Sequence, residues 1–164
     1  MNFTRRELLR NGWKIGGVLL GIAAGWTIFE SLRPLGSGAA TGTIKLEDPN
    51  SYQAGTATYV PEGRLYVANA QGTLFALSQK CPHLGCRVPF CESSGRFECA
   101  CHGSIFDLGG EWIAGPAPRG MDRYPVAVQD KVLVVDTQQL ETGPDRGAKQ
   151  YLTPPKGPSC IGKG

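Results

Sequence analysis

Two short segments carry four of the six cysteines and both histidines of this 164-residue chain, and no other feature constrains it as tightly. The first reads Cys81-Pro82-His83-Leu84-Gly85-Cys86 and the second Cys99-Ala100-Cys101-His102-Gly103-Ser104. A Cys-x-His pair and a Cys-x-x-His pair on neighbouring loops offer two thiolates and two imidazoles to one point. Soft thiolates with borderline imidazoles suit zinc or an iron–sulfur cluster, not calcium or magnesium. A structural Cys2His2 zinc site uses this ligand set. So does a 2Fe–2S cluster in which two histidines replace two cysteines on one iron. Two features favour iron. Cys86 follows His83 by three residues and Cys101 directly precedes His102, as a pair bridging two cluster loops would, and a zinc site gives no reason for them. The second feature lies at the N-terminus.

Residues Thr4-Arg5-Arg6-Glu7-Leu8-Leu9-Arg10 precede an uncharged run from Ile15 to Phe29. A basic stretch ahead of an apolar segment is an export signal, and the Arg5-Arg6 pair resembles the twin-arginine type. That route carries proteins already folded, so a cluster is inserted before crossing, whereas a zinc domain can be metallated afterwards. The apolar run covers only ~22 Å as a helix against a hydrocarbon core of ~30 Å. Including Trp13, Ser31 and Leu32, with Lys14 and Glu30 snorkelling, extends it to about 20 residues. The expectation is one uncleaved span with the N-terminus in the cytoplasm and everything after Arg33 outside. Trp13 and Trp26 read as interfacial or lipid-facing residues. Gly17, Gly21 and Gly25 repeat along one helix face, either to admit a second membrane helix or because glycine is common in such segments.

Charge supports this division. Residues 1–14 hold Arg5, Arg6, Arg10 and Lys14 against Glu7, while the other 150 residues hold 13 basic and 13 acidic side chains. A neutral body argues against a nucleic-acid partner. Residues 33–43 contain almost nothing that packs and read as a flexible hinge. Beyond them, short β-like runs alternate with turn residues: Thr56–Val60, Arg64–Ala68, Thr73–Ser78, Arg96–Cys99, Ile105–Leu108, Tyr124–Val128 and Lys131–Asp136. Turns are expected at 61–63, at 69–72 and, as a tight hairpin, at Gln129-Asp130. No helical periodicity is sustained after residue 43, and 35 Gly or Pro in the chain fit a loop-rich β domain. The expected fold is all-β, an antiparallel sandwich or barrel. The segment 141–164 is too poor in apolar groups to order itself, so it is either mobile or draped over the domain.

The two boxes resemble those of the Rieske iron–sulfur subunit of the cytochrome bc and b–f complexes. The resemblance extends to the twin-arginine anchor, the glycine-rich neck and Gly115-Pro116-Ala117-Pro118, which is similar to that family's Pro loop; the C-terminal tail lies outside it. It implies a Rieske-type antiparallel sandwich with an inserted cluster-binding subdomain at about 79–120. The division would be 1–32 signal and anchor, 33–43 hinge, 44–140 Rieske domain and 141–164 tail. It implies that Cys81 and Cys99 bind the inner iron and His83 and His102 the outer iron, and that Cys86 and Cys101 form a disulfide. Such a bridge, closing about 15 residues, would contribute ~3 kcal/mol in the chain-entropy model. Gly103 and Leu84 would flank the cluster, and Leu84 with the Pro loop would shield it from water. The hydroxyl of Ser104 would hydrogen-bond a cluster sulfur, and His102 would hydrogen-bond quinol. The implied activity is a quinol:cytochrome c, or plastocyanin-type, oxidoreductase. Its implied partners are a cytochrome b subunit, quinol, a cytochrome c-type haem and the membrane, within a dimeric multi-subunit complex. An alternative is the Rieske subunit of another exported oxidoreductase, such as a molybdenum oxidase; a zinc-stabilised exported binding module is a third reading.

High-potential members of that family carry a tyrosine two residues after the serine matched by Ser104, where this chain has Phe106. The missing donor implies a lower potential, suited to a low-potential quinol such as menaquinol. The pattern assigns no role to Cys91 and Cys160, which in an oxidising compartment either join, stapling the tail to the loop after box one, or stay free. Trp112 is expected beneath the Pro loop, and Arg119 and Arg123 on solvated surface.

Overall fold

Thr4 and Glu7 form a reciprocal cap: the Thr4 hydroxyl accepts the Glu7 N–H at 3.4 Å and the Glu7 carboxylate accepts the Thr4 N–H at 3.1 Å. This satisfies two of the donors that a helix start leaves unpaired. The helix α1 that follows runs Arg5–Leu32, about 42 Å at ~1.5 Å per residue. It is long and apolar enough to cross a membrane by length and composition, and Trp13, Val18, Leu20 and Trp26 on it are all exposed. In this computed structural model the described residues are 4–32, 42–148 and 154–162. The chain divides into two compact units, Met1–Gly38 and Ala39–Gly164. The expected hinge, apart from Gly42 and Thr43, lies outside the described residues.

The second unit is built from eleven short antiparallel strands in three sheets. β1 (Thr43–Lys45), β11 (Val132–Asp136) and β10 (Val126–Gln129) form the first sheet, in that order. The second runs β2 (Ala57–Val60), β3 (Leu65–Ala70), β4 (Thr73–Ser78), β9 (Arg123–Tyr124). The third is a meander of β5 (Phe90–Cys91), β6 (Arg96–Cys99), β7 (Ser104–Phe106) and β8 (Trp112–Ala114). All of the third sheet falls between β4 and β9, which pair with each other. It is an insertion in a two-sheet base, as expected.

Strand β3 explains how the parts cohere. Alternate residues point to opposite faces of a strand, and β3 is buried on both. Leu65 and Val67 enter a core with Val60, Ala76, Leu133 and Val135, which joins the first two sheets. Tyr66, Ala68 and Ala70 face the other way and pack with Val88, Phe97, Phe106, Leu108 and Met121 of the insertion. The insertion is thus seated on the back of the base sheet.

Several boundaries differ from the sequence reading, each for a local reason. β3 continues to Ala70, because the tight turn is the pair Gln71-Gly72, at φ +55° and +90°. Asn69, read as a turn residue, is a strand residue whose side chain accepts the Gly72 N–H and donates to Tyr52 O. The hairpin between β10 and β11 turns at Asp130-Lys131, φ +49° and +63°, because Gln129 still pairs with Val132. Both pairs occupy the left-handed region that a two-residue hairpin of this twist requires. The run Tyr124–Val128 is two strands in different sheets, broken at Pro125, which has no N–H to give a ladder. The run Ile105–Leu108 begins at Ser104 and stops at Phe106, because Asp107 turns the chain by accepting the N–H groups of Gly110 and Glu111. β1, β5 and β8 were not foreseen. With two or three residues each they are too short to display a period.

The tail is draped, in the parts described. Glu141 pairs with Arg123, Pro144 O accepts the Gly120 N–H at 2.7 Å, and Lys156 N–H reaches Ser94 O at 2.9 Å. Cys160 forms a disulfide with Cys91 across 69 residues of chain.

Candidate metal centre

Each box is closed by the same device. The N–H of Gly85 bonds Cys81 O at 2.9 Å, and the N–H of Gly103 bonds Cys99 O at 3.0 Å. Both glycines stand at positive φ, +77° and +76°, which lets each loop double back within five residues. The first loop is further tied by Cys81 N–H to Cys86 O at 2.7 Å and by the Lys80–Arg87 bridge. The second is the β6–β7 turn, whose ends, Cys99 and Ser104, pair across the ladder.

A disulfide between Cys86 and Cys101 joins the two loops, Cα to Cα 6.7 Å. Cys81 and Cys99 remain free thiols and are buried. The His83 and His102 rings lie edge to face with centroids 4.9 Å apart. His83 is half-buried and His102 exposed, so the pair faces outward while the thiols face the core. The sulfurs of Cys86, Cys99 and Cys101 also lie within 4.8 Å of one another, but the disulfide uses two of them and leaves only Cys99 free as a donor.

Opposing influences act on the Cys81 sulfur, and burial prevails over the hydrogen bonds. Burial pushes the Cys81 thiol up, and the neighbouring Cys99 adds to that, while the His83 N–H and the Ser104 hydroxyl both donate to it and oppose the rise. Ser104 has its own anchor, since its Oγ accepts the N–H of Ala117 at 3.1 Å. The Pro loop therefore rests on box two. Gly115 makes this approach possible: a Cβ there would stand 2.5 Å from Ser104 Cα and 2.6 Å from Gly103 O, at φ +90°. Two free buried thiols converging beneath two outward imidazoles, ringed by N–H and O–H donors, form a donor set that fits a 2Fe–2S cluster with mixed ligands.

The other residues singled out from sequence fall around this point. Leu84, 70% exposed, stands on the first loop, and Pro116 and Pro118 are exposed while Ala117 is buried. Phe106 is fully buried opposite Phe97. Trp112 donates from Nε1 to Gly115 O at 3.1 Å, beneath the Pro loop. Arg119 and Arg123 are not free surface charges. Arg119 is ion-paired to Asp122, and Arg123 lies over the Phe75 ring at 4.6 Å and donates to Gly109 O at 2.8 Å.

Three features around the site had no reading in the sequence. Glu98, next to Cys99, is buried and accepts from the hydroxyls of Ser94 and Ser159 and the N–H groups of Cys160 and Ile161. Burial raises its pKa, and those four donors more than offset the rise, holding it below the usual carboxylate value. Asp107 and Glu111 are also buried. Burial pushes Asp107 up to about 6, and the charge of Glu111 adds to this against the N–H donors of Glu111 and Gly109 and the charge of Arg123. Arg146, from the tail, caps the Pro loop. The acids sit in strand and turn positions where the chain pattern reads as ordinary polar surface, and only the folded insertion buries them.

Comparison with known proteins agrees with the geometry. The Rieske 2Fe–2S domain family matches residues 43–125. The cytochrome b6-f complex iron-sulfur subunit of Chlorobaculum tepidum is 31% identical over 145 residues, covering 82% of this chain and 76% of that protein. The subunit of the same name from Prochlorococcus marinus subsp. pastoris is 30% identical over 138 residues, covering 73% and 78%. A plasma membrane Rieske protein of Synechocystis PCC 6803 shares 31% identity, with a TM-score of 0.41, over 48% of this chain and 82% of that one. These findings set aside the zinc alternative. With its inserted sheet and its paired cysteine–histidine loops, the chain belongs to the Rieske 2Fe–2S domain family, and its cofactor is a 2Fe–2S cluster.

Proposed function

We propose that the chain is the electron-carrying subunit of a quinol-oxidising complex of the cytochrome bc or b–f type, anchored by α1. The names of the Chlorobaculum and Prochlorococcus relatives support this reading. Cys81 and Cys99 would hold one iron, and His83 and His102 the other. A cluster so ligated accepts one electron at a potential that its imidazoles and its sulfur-directed hydrogen bonds raise.

The chain's own residues then have separable roles. His102, exposed at the tip, has a ring nitrogen that, when deprotonated, would take the proton of the quinol hydroxyl and later release it. His83, edge-on to it, would fix the ring's orientation. Ser104 and the His83 N–H donate toward the Cys81 sulfur and stabilise added negative charge there. Leu84 and the Pro loop keep water from the buried thiols. Phe106, apolar where high-potential relatives carry a hydroxyl, fits a lower potential and a low-potential quinol. The twin-arginine signal, the hinge at 33–43 and an N-terminus on the cytoplasmic side would put the domain outside. From there it could move between a cytochrome b subunit and a cytochrome c-type haem.

The observation that carries this reading is the convergence of two free buried thiols under two outward histidine rings. Purification of the chain from membranes tests it. The expected result is co-purification with haem proteins, quinol:cytochrome reductase activity and a reduced-cluster signal in electron paramagnetic resonance. An iron-free chain, or one that travels without haem partners, would overturn it.

A further inference from the structure

Arg146 is the last arginine of the chain and lies beyond the region matched to the family. Its guanidinium donates from Nε to Ala117 O at 2.8 Å, and from one terminal nitrogen to Ala117 O at 2.6 Å and Gly115 O at 3.2 Å. Its flat face lies 4.4 Å from the centre of the Trp112 ring. Trp112 in turn donates to the same Gly115 carbonyl. One side chain thus ties together both arms of the Gly115–Pro118 loop and the indole beneath it. The arginine is itself held in place, because the backbone of Asp145 forms an antiparallel β-bridge with that of Arg119 and Pro144 O accepts the Gly120 N–H at 2.7 Å.

The consequence passes through a single peptide. Ala117 takes the arginine on its carbonyl and gives its N–H to Ser104 Oγ at 3.1 Å. An oxygen that accepts this bond keeps its own hydrogen for another partner, and Ser104 stands at the end of the box-two turn, paired across the ladder with the free thiol residue Cys99. A planar guanidinium makes several such bonds from a fixed fork and stacks on an aromatic face, which an ammonium or an amide cannot reproduce. We propose that Arg146 is a positioning residue for the redox centre: by clamping the Pro loop it fixes Ala117, and through Ala117 it holds the Ser104 hydroxyl in place beside the cysteine pair of the two boxes. The tail, which the family pattern leaves without a role, then sets part of the cluster's potential. This inference rests on the ligand assignment under Proposed function.

The test is a redox titration of the membrane-purified full chain, followed by electron paramagnetic resonance, for wild type, Arg146→Gln, Arg146→Lys, Ser104→Ala and Ser104→Ala combined with Arg146→Gln. A wild type without a reduced-cluster signal overturns the ligand assignment and this inference with it. Given that signal, Arg146→Gln is expected to lower the midpoint by the equivalent of a several-fold change in the oxidised-to-reduced ratio, one electron corresponding to about 59 mV per tenfold. Arg146→Lys, which keeps the charge but loses the fork, is expected to fall between Gln and wild type. It also serves as the readout if the Gln variant assembles poorly. In the Ser104→Ala background the Arg146→Gln shift should vanish, because the group through which it acts is gone. An unchanged midpoint in the arginine variants, or a shift of the same size with and without Ser104, overturns the positioning role. A merely structural clamp would lower thermal stability and leave the midpoint where it was.

Discussion

The two cores on either side of β3 are built on opposite terms. The one joining the base sheets holds Val60, Leu65, Val67, Ala76, Leu133 and Val135, and no buried charge enters it. The one under the insertion packs the same strand against Phe97, Phe106 and Leu108, yet its chain buries Ser94, Glu98, Ser104, Asp107 and Glu111. The base is held by removal of apolar surface from water, which needs no precise partner. The insertion buries polar groups that are costly unless each finds one. It offsets that cost with two disulfides and a tail that supplies three donors to Glu98, and it also buries two free thiols. A redox site needs such a setting, because hydrogen bonds and fixed dipoles tune charge on sulfur where aliphatic packing cannot.

The sharpest way to break this contrast is to remove a free thiol. Cys81→Ser or Cys99→Ser is expected to abolish colour, bound iron and the reduced-cluster signal, while circular dichroism keeps the β signature of the base. Loss of the whole fold would instead make the two halves one cooperative unit. Leu65→Ala attacks the other side. It should cost ~2–5 kcal/mol in denaturant unfolding, as a large-to-small change in a packed core does, and leave the paramagnetic spectrum of the folded fraction unaltered.

Replacing Cys91 and Cys160 together by serine removes the staple of a 69-residue loop. The chain-entropy model sets the upper expectation at about 4 kcal/mol. Unfolding measured with and without the disulfide should reveal that loss, and limited proteolysis should find 154–162 released.

Asp107 tests the burial of charge. Its folded pKa, about 6, lies above its ordinary 3.8. The native state therefore binds the proton more tightly than the unfolded chain does. That stabilisation is complete below pH ~4 and is lost as pH rises through ~6, on the order of 3 kcal/mol for two units. Asp107→Asn should become progressively more stable than wild type between pH 4 and 7, and equal stability across that range would contradict the assignment. The smallest effect concerns Phe106→Tyr, which adds a hydroxyl beside the site. A rise in midpoint on redox titration would mark it as the missing donor, and an unmoved midpoint would mark Phe106 as packing alone.

Much of this was legible in the chain. Cysteine and histidine have few roles in common, so their spacing in two boxes carried the chemistry before any fold was known. Strands β4 and β6 were readable to the residue, since alternation and flanking turn residues agree there. The hairpin turns were misplaced by a residue or more, because Asn69 and Gln129 pair in ladders that only the partner strand defines. Arg123 read as a solvated charge until folding laid it over Phe75 and against Gly109.

By itself the sequence determined the two cysteine–histidine boxes, the apolar N-terminal run and the alternation that makes β strands, because these depend on residue type and on neighbours a few positions apart. Only the tertiary structure decided which thiols stayed free, which carboxylates were buried and that Arg146 reaches the Pro loop. Those outcomes depend on groups up to 69 residues apart meeting in space, and no local pattern encodes a distance of that kind.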